Sequence, residues 1–155
     1  YAGSSIYVDE HEKVWIGGGG LGSYDEDGKS FTHYLTGYRV RHVSGNSDGR
    51  LLVGHNRGLL LFDPETGKYE QIADEWPTSV LHDRQGIIWH SSGSGLYQIN
   101  PKTGRFRREQ QFNWIGGVAE DGNGDIWIFS SSGIFRFDPS LTKVLEHKRR
   151  EGVGV

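Results

Sequence analysis

Residues 83–106 read Asp-Arg-Gln-Gly-Ile-Ile-Trp-His-Ser-Ser-Gly-Ser-Gly-Leu-Tyr-Gln-Ile-Asn-Pro-Lys-Thr-Gly-Arg-Phe. Asp83 and Gly86 bracket a tight turn, with the carboxylate capping its own backbone and the glycine taking a positive φ. A short apolar run through Trp89 follows, then Gly95-Leu96-Tyr97, and then a second turn in which Pro101 presets φ early and Gly104 closes late. The stretch is therefore two hairpin turns separating short strands, and the same columns recur along the chain every 37 to 38 residues. An apolar residue opens a strand at Ile6, Val43, Val80 and Val118, and the first turn begins at Asp9, Asn46, Asp83 and Asp121. A large apolar residue follows at Trp15, Leu52, Trp89 and Trp127, then a glycine and an aliphatic at Gly20-Leu21, Gly58-Leu59, Gly95-Leu96 and Gly133-Ile134. The second turn is headed by Asp25, Asp63, Asn100 and Asp138, and the last column holds Phe31, Tyr69, Phe106 and Val144.

Such a period marks propellers, solenoids and arrays. Each copy carries four short apolar segments, near residues 79–82, 87–90, 96–99 and 105–108 in the third, so each is read as a four-stranded antiparallel meander. The second strand is apolar on consecutive residues, as in Val14-Trp15-Ile16 and Ile126-Trp127-Ile128, which calls for burial of both faces. Sheets stacked radially meet that demand, so the expectation is an all-β chain forming a β-propeller segment of four blades, at about residues 4–36, 39–73, 78–110 and 114–148. Such a segment is either a closed four-blade ring or part of a larger propeller or a self-assembling half. An open ring would expose apolar faces near residues 6–15 and 127–137, favouring a dimer or further blades.

Composition narrows the function. The chain has 155 residues, 24 glycines, 12% aromatic residues and no cysteine or methionine, so disulfides and thiolate metal sites are excluded. The formal net charge of −3 gives no nucleic-acid footprint, and Lys148, Arg149 and Arg150 read as a solvated cluster. No apolar run reaches membrane-spanning length, so no membrane contact is expected of this segment. The missing initiator methionine suggests a processed chain or an excised piece, and an extracytoplasmic origin would need a leader removed before residue 1.

The alternating connections place the two stereotyped turns at one end of each blade. The variable segments, residues 17–20, 55–57, 91–94 and 130–132 together with the blade connections 36–41, 73–78 and 110–115, lie at the other. Binding residues concentrate in variable loops on a rigid scaffold. The candidate ligand-binding residues are therefore Arg41, His55, Asn56, Arg57, Trp76, His90 and Trp114. His90 breaks a column otherwise held by Ile16, Val53 and Ile128. Trp76 and Trp114 either stack on sugar rings or lid the core. The repeated aspartates are read as backbone caps, residues 17–20 as a permissive hairpin loop, and residues 91–94 as no nucleophile elbow, since no helix follows. No catalytic residue, cofactor or metal site is expected.

The motif of residues 83–106 resembles the two-component regulator propeller repeat, with its Asp-x-x-Gly turn, apolar-Trp strand, Gly-Leu-aromatic strand and Asp-Pro-x-Thr-Gly turn. This chain departs from it at Leu52, at Glu12 in place of the first-turn glycine, and at Thr142 in place of the second-turn glycine. The resemblance implies a large propeller in the periplasmic sensor of a membrane-bound hybrid histidine kinase, binding carbohydrate fragments without catalysis. Similar repeats also occur in streptogramin-type lyases. A propeller lyase or glycan-active enzyme would need His55 or His90 to converge with Glu120, together with a divalent metal.

Overall fold

In the computed structural model the described residues are 5–25, 29–46, 48–100, 102–103, 105–109, 112, 114–138 and 144–149, so Pro101, Gly104 and Thr142 lie outside them. The chain is all β, with sixteen strands among these residues and four antiparallel four-stranded meanders. The strands are β1 (Ser5–Val8), β2 (Val14–Gly17), β3 (Leu21–Asp25) and β4 (Ser30–Tyr34), then β5 (Val40–Gly45), β6 (Leu51–His55), β7 (Gly58–Phe62) and β8 (Tyr69–Ala73). The third sheet holds β9 (Ser79–His82), β10 (Ile88–Ser92), β11 (Gly95–Asn100) and β12 (Arg105–Glu109). The fourth holds β13 (Ile115–Glu120), β14 (Ile126–Ser130), β15 (Gly133–Phe137) and β16 (Val144–Arg149). These are propeller blades, and they group into two compact units, residues 1–77 and 78–155.

The turn chemistry explains the sheets. In the first turn Asp83 Oδ1 accepts the amides of Gln85 and Ile87, each at 2.9 Å. Its Oδ2 accepts the indole N–H of Trp89 at 2.7 Å. Asp9 treats His11, Lys13 and Trp15 in the same way, with the indole at 2.8 Å, and Asp121 treats Asn123, Asp125 and Trp127 likewise, with the indole at 2.9 Å. One carboxylate thus caps the turn and satisfies a tryptophan six residues on, which a capping role alone does not require. The second sheet replaces both partners, with Asn46 and Leu52, and there Asp48 Oδ1 takes over the amide of Arg50 at 3.1 Å. The closing glycines Gly49, Gly86 and Gly124 have φ between 80° and 87°, while Glu12 holds the same place at φ 63°, a conformation that costs a non-glycine residue about 1 kcal/mol or more.

Within residues 1–77, the Trp15 side of the first sheet packs on the second through Trp15, Leu21, Val40, Val53, Leu60 and Phe62. Trp15, Tyr34 and Phe62 form a ring cluster with centroids 5.1 to 5.9 Å apart. Within residues 78–155, Trp89, Leu96, Phe112, Ile126, Ile128 and Phe137 join the third and fourth sheets. The innermost strands are tied alike in both units. Ser5 Oγ accepts the Val43 amide at 3.0 Å, and Ser79 Oγ accepts the Val118 amide at 3.3 Å.

Burial of both faces holds for β6 and β10, where every residue is buried. It does not hold for β2, where Val14 and Ile16 are half-buried, or for β14, where Phe129 is 42% exposed. In the first sheet the face away from Trp15 carries Ile6, Val8 and Phe31, which are 70%, 54% and 45% exposed. In the fourth sheet Phe129 and Ile134 are exposed beside the half-buried Trp127. Apolar faces are thus open near both expected segments, but Trp15 itself points into the core.

A double-substitution cycle tests the aspartate–tryptophan tie. Trp89→Leu is expected to cost about 2–3 kcal/mol through lost packing, and Asp83→Asn about 1–2 kcal/mol. The double variant, which reproduces the pair in the second sheet, should cost less than the sum by about 1 kcal/mol. Urea unfolding reads all four chains, and strict additivity would show that the pair is not coupled.

Candidate functional site

The loop end of residues 1–77 brings several expected residues together. The Arg41 guanidinium lies 4.6 Å from the ring centre of Trp76, which is 38% exposed, so a cation and an aromatic surface meet there. Arg57 lies 5.5 Å from the ring of Tyr38, whose ring meets His55 edge-on at 4.6 Å.

His55 is fully buried in β6 and has both ring nitrogens engaged. Its Nδ1 accepts the Arg57 amide at 3.1 Å, so Nε2 carries the proton and donates to Gln71 Oε1 at 3.3 Å. Gln71 is held in turn by donating to the Arg57 and Ala73 carbonyls. Gly58 makes room for this: at its φ of 131°, a Cβ would run into the Ala73 carbonyl. Burial pushes the His55 pKa down, more than the hydrogen bond to Gln71 raises it. The ring is a neutral structural hub. Asn56 is likewise a backbone clamp, accepting the Arg39 amide at 2.9 Å and donating its own amide to the Arg39 carbonyl at 3.0 Å.

In the other unit His90 is fully buried and stacked on Tyr97 with centroids 5.4 Å apart, and the Tyr97 hydroxyl meets Ser94 Oγ at 2.6 Å. Trp114 is 56% exposed at φ 43°, and its carbonyl accepts the Ser131 amide at 3.1 Å. Glu120 sits at the turn end of β13, where it forms an ion pair with Arg84 at 2.8 Å. The carboxylate that an enzyme reading would pair with His90 is therefore committed elsewhere. Among the described residues no group of three or more His, Asp or Glu is placed to hold a metal.

Of the expected residues, Arg41, Trp76, Arg57 and Trp114 present their side chains or ring surfaces at the loop ends, whereas His55, Asn56 and His90 build the scaffold. Tyr38 and Gln71 were not legible as members of the cluster. They belong to no repeat column: the pairing of β8 with β7 brings Gln71 to His55, and Tyr38 meets it from the connection before β5.

Neither a family model nor a curated protein sequence matches the chain. Among solved structures it is similar to the extracellular domain of a hybrid two-component system from B. thetaiotaomicron, with TM-score 0.79 and 22% identity, covering 97% of this chain and 22% of that one. A second hybrid two-component system of that organism gives TM-score 0.72 and 21% identity over 85% of this chain and 21% of its own extracellular domain. A gluconolactonase-like protein gives TM-score 0.67 and 16% identity, with 85% and 57% covered. At these identities the likeness establishes the propeller fold alone. The chain spans about one fifth of the length of the two extracellular domains.

The histidines give a pH dependence. Burial lowers the pKa of both His42 and His55 below 6.5, so the unfolded chain takes up protons first as pH falls. Stability should therefore be complete above about pH 6.5 and decline below it towards the folded-state values. Thermal unfolding between about pH 7 and pH 5 measures this slope, and His55→Gln, which keeps a polar partner for Gln71 but does not titrate, should flatten it.

Proposed function

We propose that this chain is a non-catalytic binding segment of an extracytoplasmic sensor propeller, engaging a carbohydrate-like ligand through the loop end of its blades. The observation that carries this reading is the Arg41–Trp76 pair, an exposed indole with a guanidinium beside it on a scaffold that already satisfies His55 and Asn56. Aromatic surface suits the apolar face of a sugar ring, and a guanidinium suits its hydroxyl or carboxylate groups. The two extracellular domains of similar fold, which belong to hybrid two-component systems, support the placement outside the cytoplasm and the sensory role.

We further propose that the open sheet faces receive blades of this same repeat. In both units the side bearing the first-turn tryptophan packs on the opposite side of the next sheet. Phe129 and Ile134 beside Trp127 offer the first kind of face, and Ile6 and Val8 the second. With the 155-residue chain alone, a second copy would supply the missing blades. Light scattering should then report the mass of two chains, and a monomer at all concentrations would count against this pairing.

Calorimetric titration with neutral and uronic-acid oligosaccharides tests ligand binding. Trp76→Ala should weaken an observed interaction by roughly 5-fold to 150-fold, as expected for a lost stacking contact of about 1–3 kcal/mol, without lowering the melting temperature appreciably. Absence of binding across both sugar classes, or full retention by Trp76→Ala, would overturn the loop-end site.

A further inference from the structure

Arginines at the two ends of the blades have different partners. Towards the turn end, Arg50 pairs with Asp48 at 2.6 Å, Arg84 with Glu120 at 2.8 Å and Arg136 with Asp125 at 2.7 Å. At the loop end of residues 1–77, Arg39, Arg41 and Arg57 are exposed, and none of them pairs with a carboxylate among the described residues. Asp74 and Glu75 precede Trp76 at the same end, and neither forms an ion pair with these three guanidinium groups. The whole chain carries a formal net charge of −3, so this unneutralised cationic cluster reverses the sign locally.

The backbone beneath two of these side chains is held at both of its polar groups. Asn56 Oδ1 accepts the Arg39 amide at 2.9 Å, and the Arg39 carbonyl accepts the Asn56 amide at 3.0 Å. His55 Nδ1 accepts the Arg57 amide at 3.1 Å, and the Arg57 carbonyl accepts a hydrogen bond from Gln71 Nε2 at 3.0 Å. A solvated surface charge needs no such anchorage. A side chain that meets a ligand gains from it, because a fixed backbone lowers the ordering cost on contact.

Two of the guanidinium groups also lie over aromatic rings, Arg41 over Trp76 at 4.6 Å and Arg57 over Tyr38 at 5.5 Å. A guanidinium so placed keeps its charge and commits no N–H donor to a carboxylate. The two pairs flank the second sheet. Tyr38 packs on the core between the first and second sheets, whereas Pro77, next to Trp76, lies against Gly54 on the side that carries Leu52. Cations on both sides of one sheet end suit an extended chain with several acidic groups better than a single small anion.

We propose that the ligand of this loop end is an acidic oligosaccharide, whose carboxylate or sulfate groups are received by Arg39, Arg41 and Arg57. A guanidinium presents paired N–H donors that match two oxygens of one oxyanion. The inference rests on the saccharide reading of the same surface and adds the charge class to it.

The test is calorimetric titration of the 155-residue chain with oligogalacturonides, with their methyl esters as the same backbone without charge, and with sulfated and unsulfated galacto-oligosaccharides. At least one acidic form should bind about 10-fold tighter or more than its neutral counterpart, with affinity falling as salt rises, and the tighter acid identifies the oxyanion. Arg41→Gln and Arg57→Gln, both on exposed side chains, should each weaken acidic binding about 10-fold and leave neutral binding unchanged. Arg50→Gln removes the same charge at the turn end and should alter neither. Equal affinity for charged and neutral forms overturns this inference alone and leaves the saccharide reading standing. Acidic binding that survives both loop-end substitutions, or that Arg50→Gln weakens as much, reports bulk charge only and also overturns it. Acidic binding that needs Arg41 and Arg57 but is untouched by Trp76→Ala supports the charge class and overturns the stacking contact instead. No binding by any of these saccharides overturns both.

Discussion

A buried indole keeps its N–H only if something accepts it, and in three of the four sheets that acceptor is the aspartate that opens the preceding turn. The two oxygens of the carboxylate do different work: one fixes the hairpin, and the other anchors the largest side chain of the blade. Turn and core are therefore specified together, and neither residue can change alone without leaving a buried polar group unanswered. The second sheet illustrates the rule by exception, since Asn46 and Leu52 depart from their columns as a pair. An aspartate at 46 would be a largely buried carboxylate with no indole to receive, and the amide avoids the cost of burying that charge.

The blades consequently have two ends of different character. The turn end is uniform in shape, because the same hydrogen bonds recur, but its chemistry is set by residues that point across to the adjacent sheet. The loop end is irregular, and its buried polar groups are largely occupied in holding the irregular backbone: Asn56 fixes Arg39, and His55 fixes Arg57 and Gln71. What remains available to a partner there is surface, in the form of guanidinium groups and exposed indoles.

The fold was legible in the sequence because its determinants are local and repeated. Asp, Gly and Trp recur at fixed offsets, and the sixteen strands among the described residues follow from them. The tie between Asp9 and Trp15 was also present as an unvarying six-residue spacing, although the capping role alone was drawn from it. The site was less legible. His55 and Asn56 are polar residues in a variable loop, and only the geometry distinguishes a backbone clamp from a ligand contact. The Arg84–Glu120 ion pair likewise joins residues of two different blades, and Glu10 and Gly45 stand in their places in residues 1–77; no pattern within a single repeat contains that comparison. The half-open faces of β2 and β14 lie in the two segments expected to be open if the ring does not close, whereas their apolar runs by themselves called for burial on both sides, since such a run records what a strand can bury and not whether a neighbour covers it.

Every strand pairs with the one next to it in sequence, and no pairing crosses over another. The chain excluded from each hairpin is short, so little loop-closure entropy opposes its formation. For an all-β protein this is an unusually local topology, and the rate of forming a blade is governed by nearest-neighbour hairpins rather than by a search for distant partners. During synthesis each meander can assemble as soon as its own residues emerge, and within each unit the first sheet provides the surface on which the second condenses.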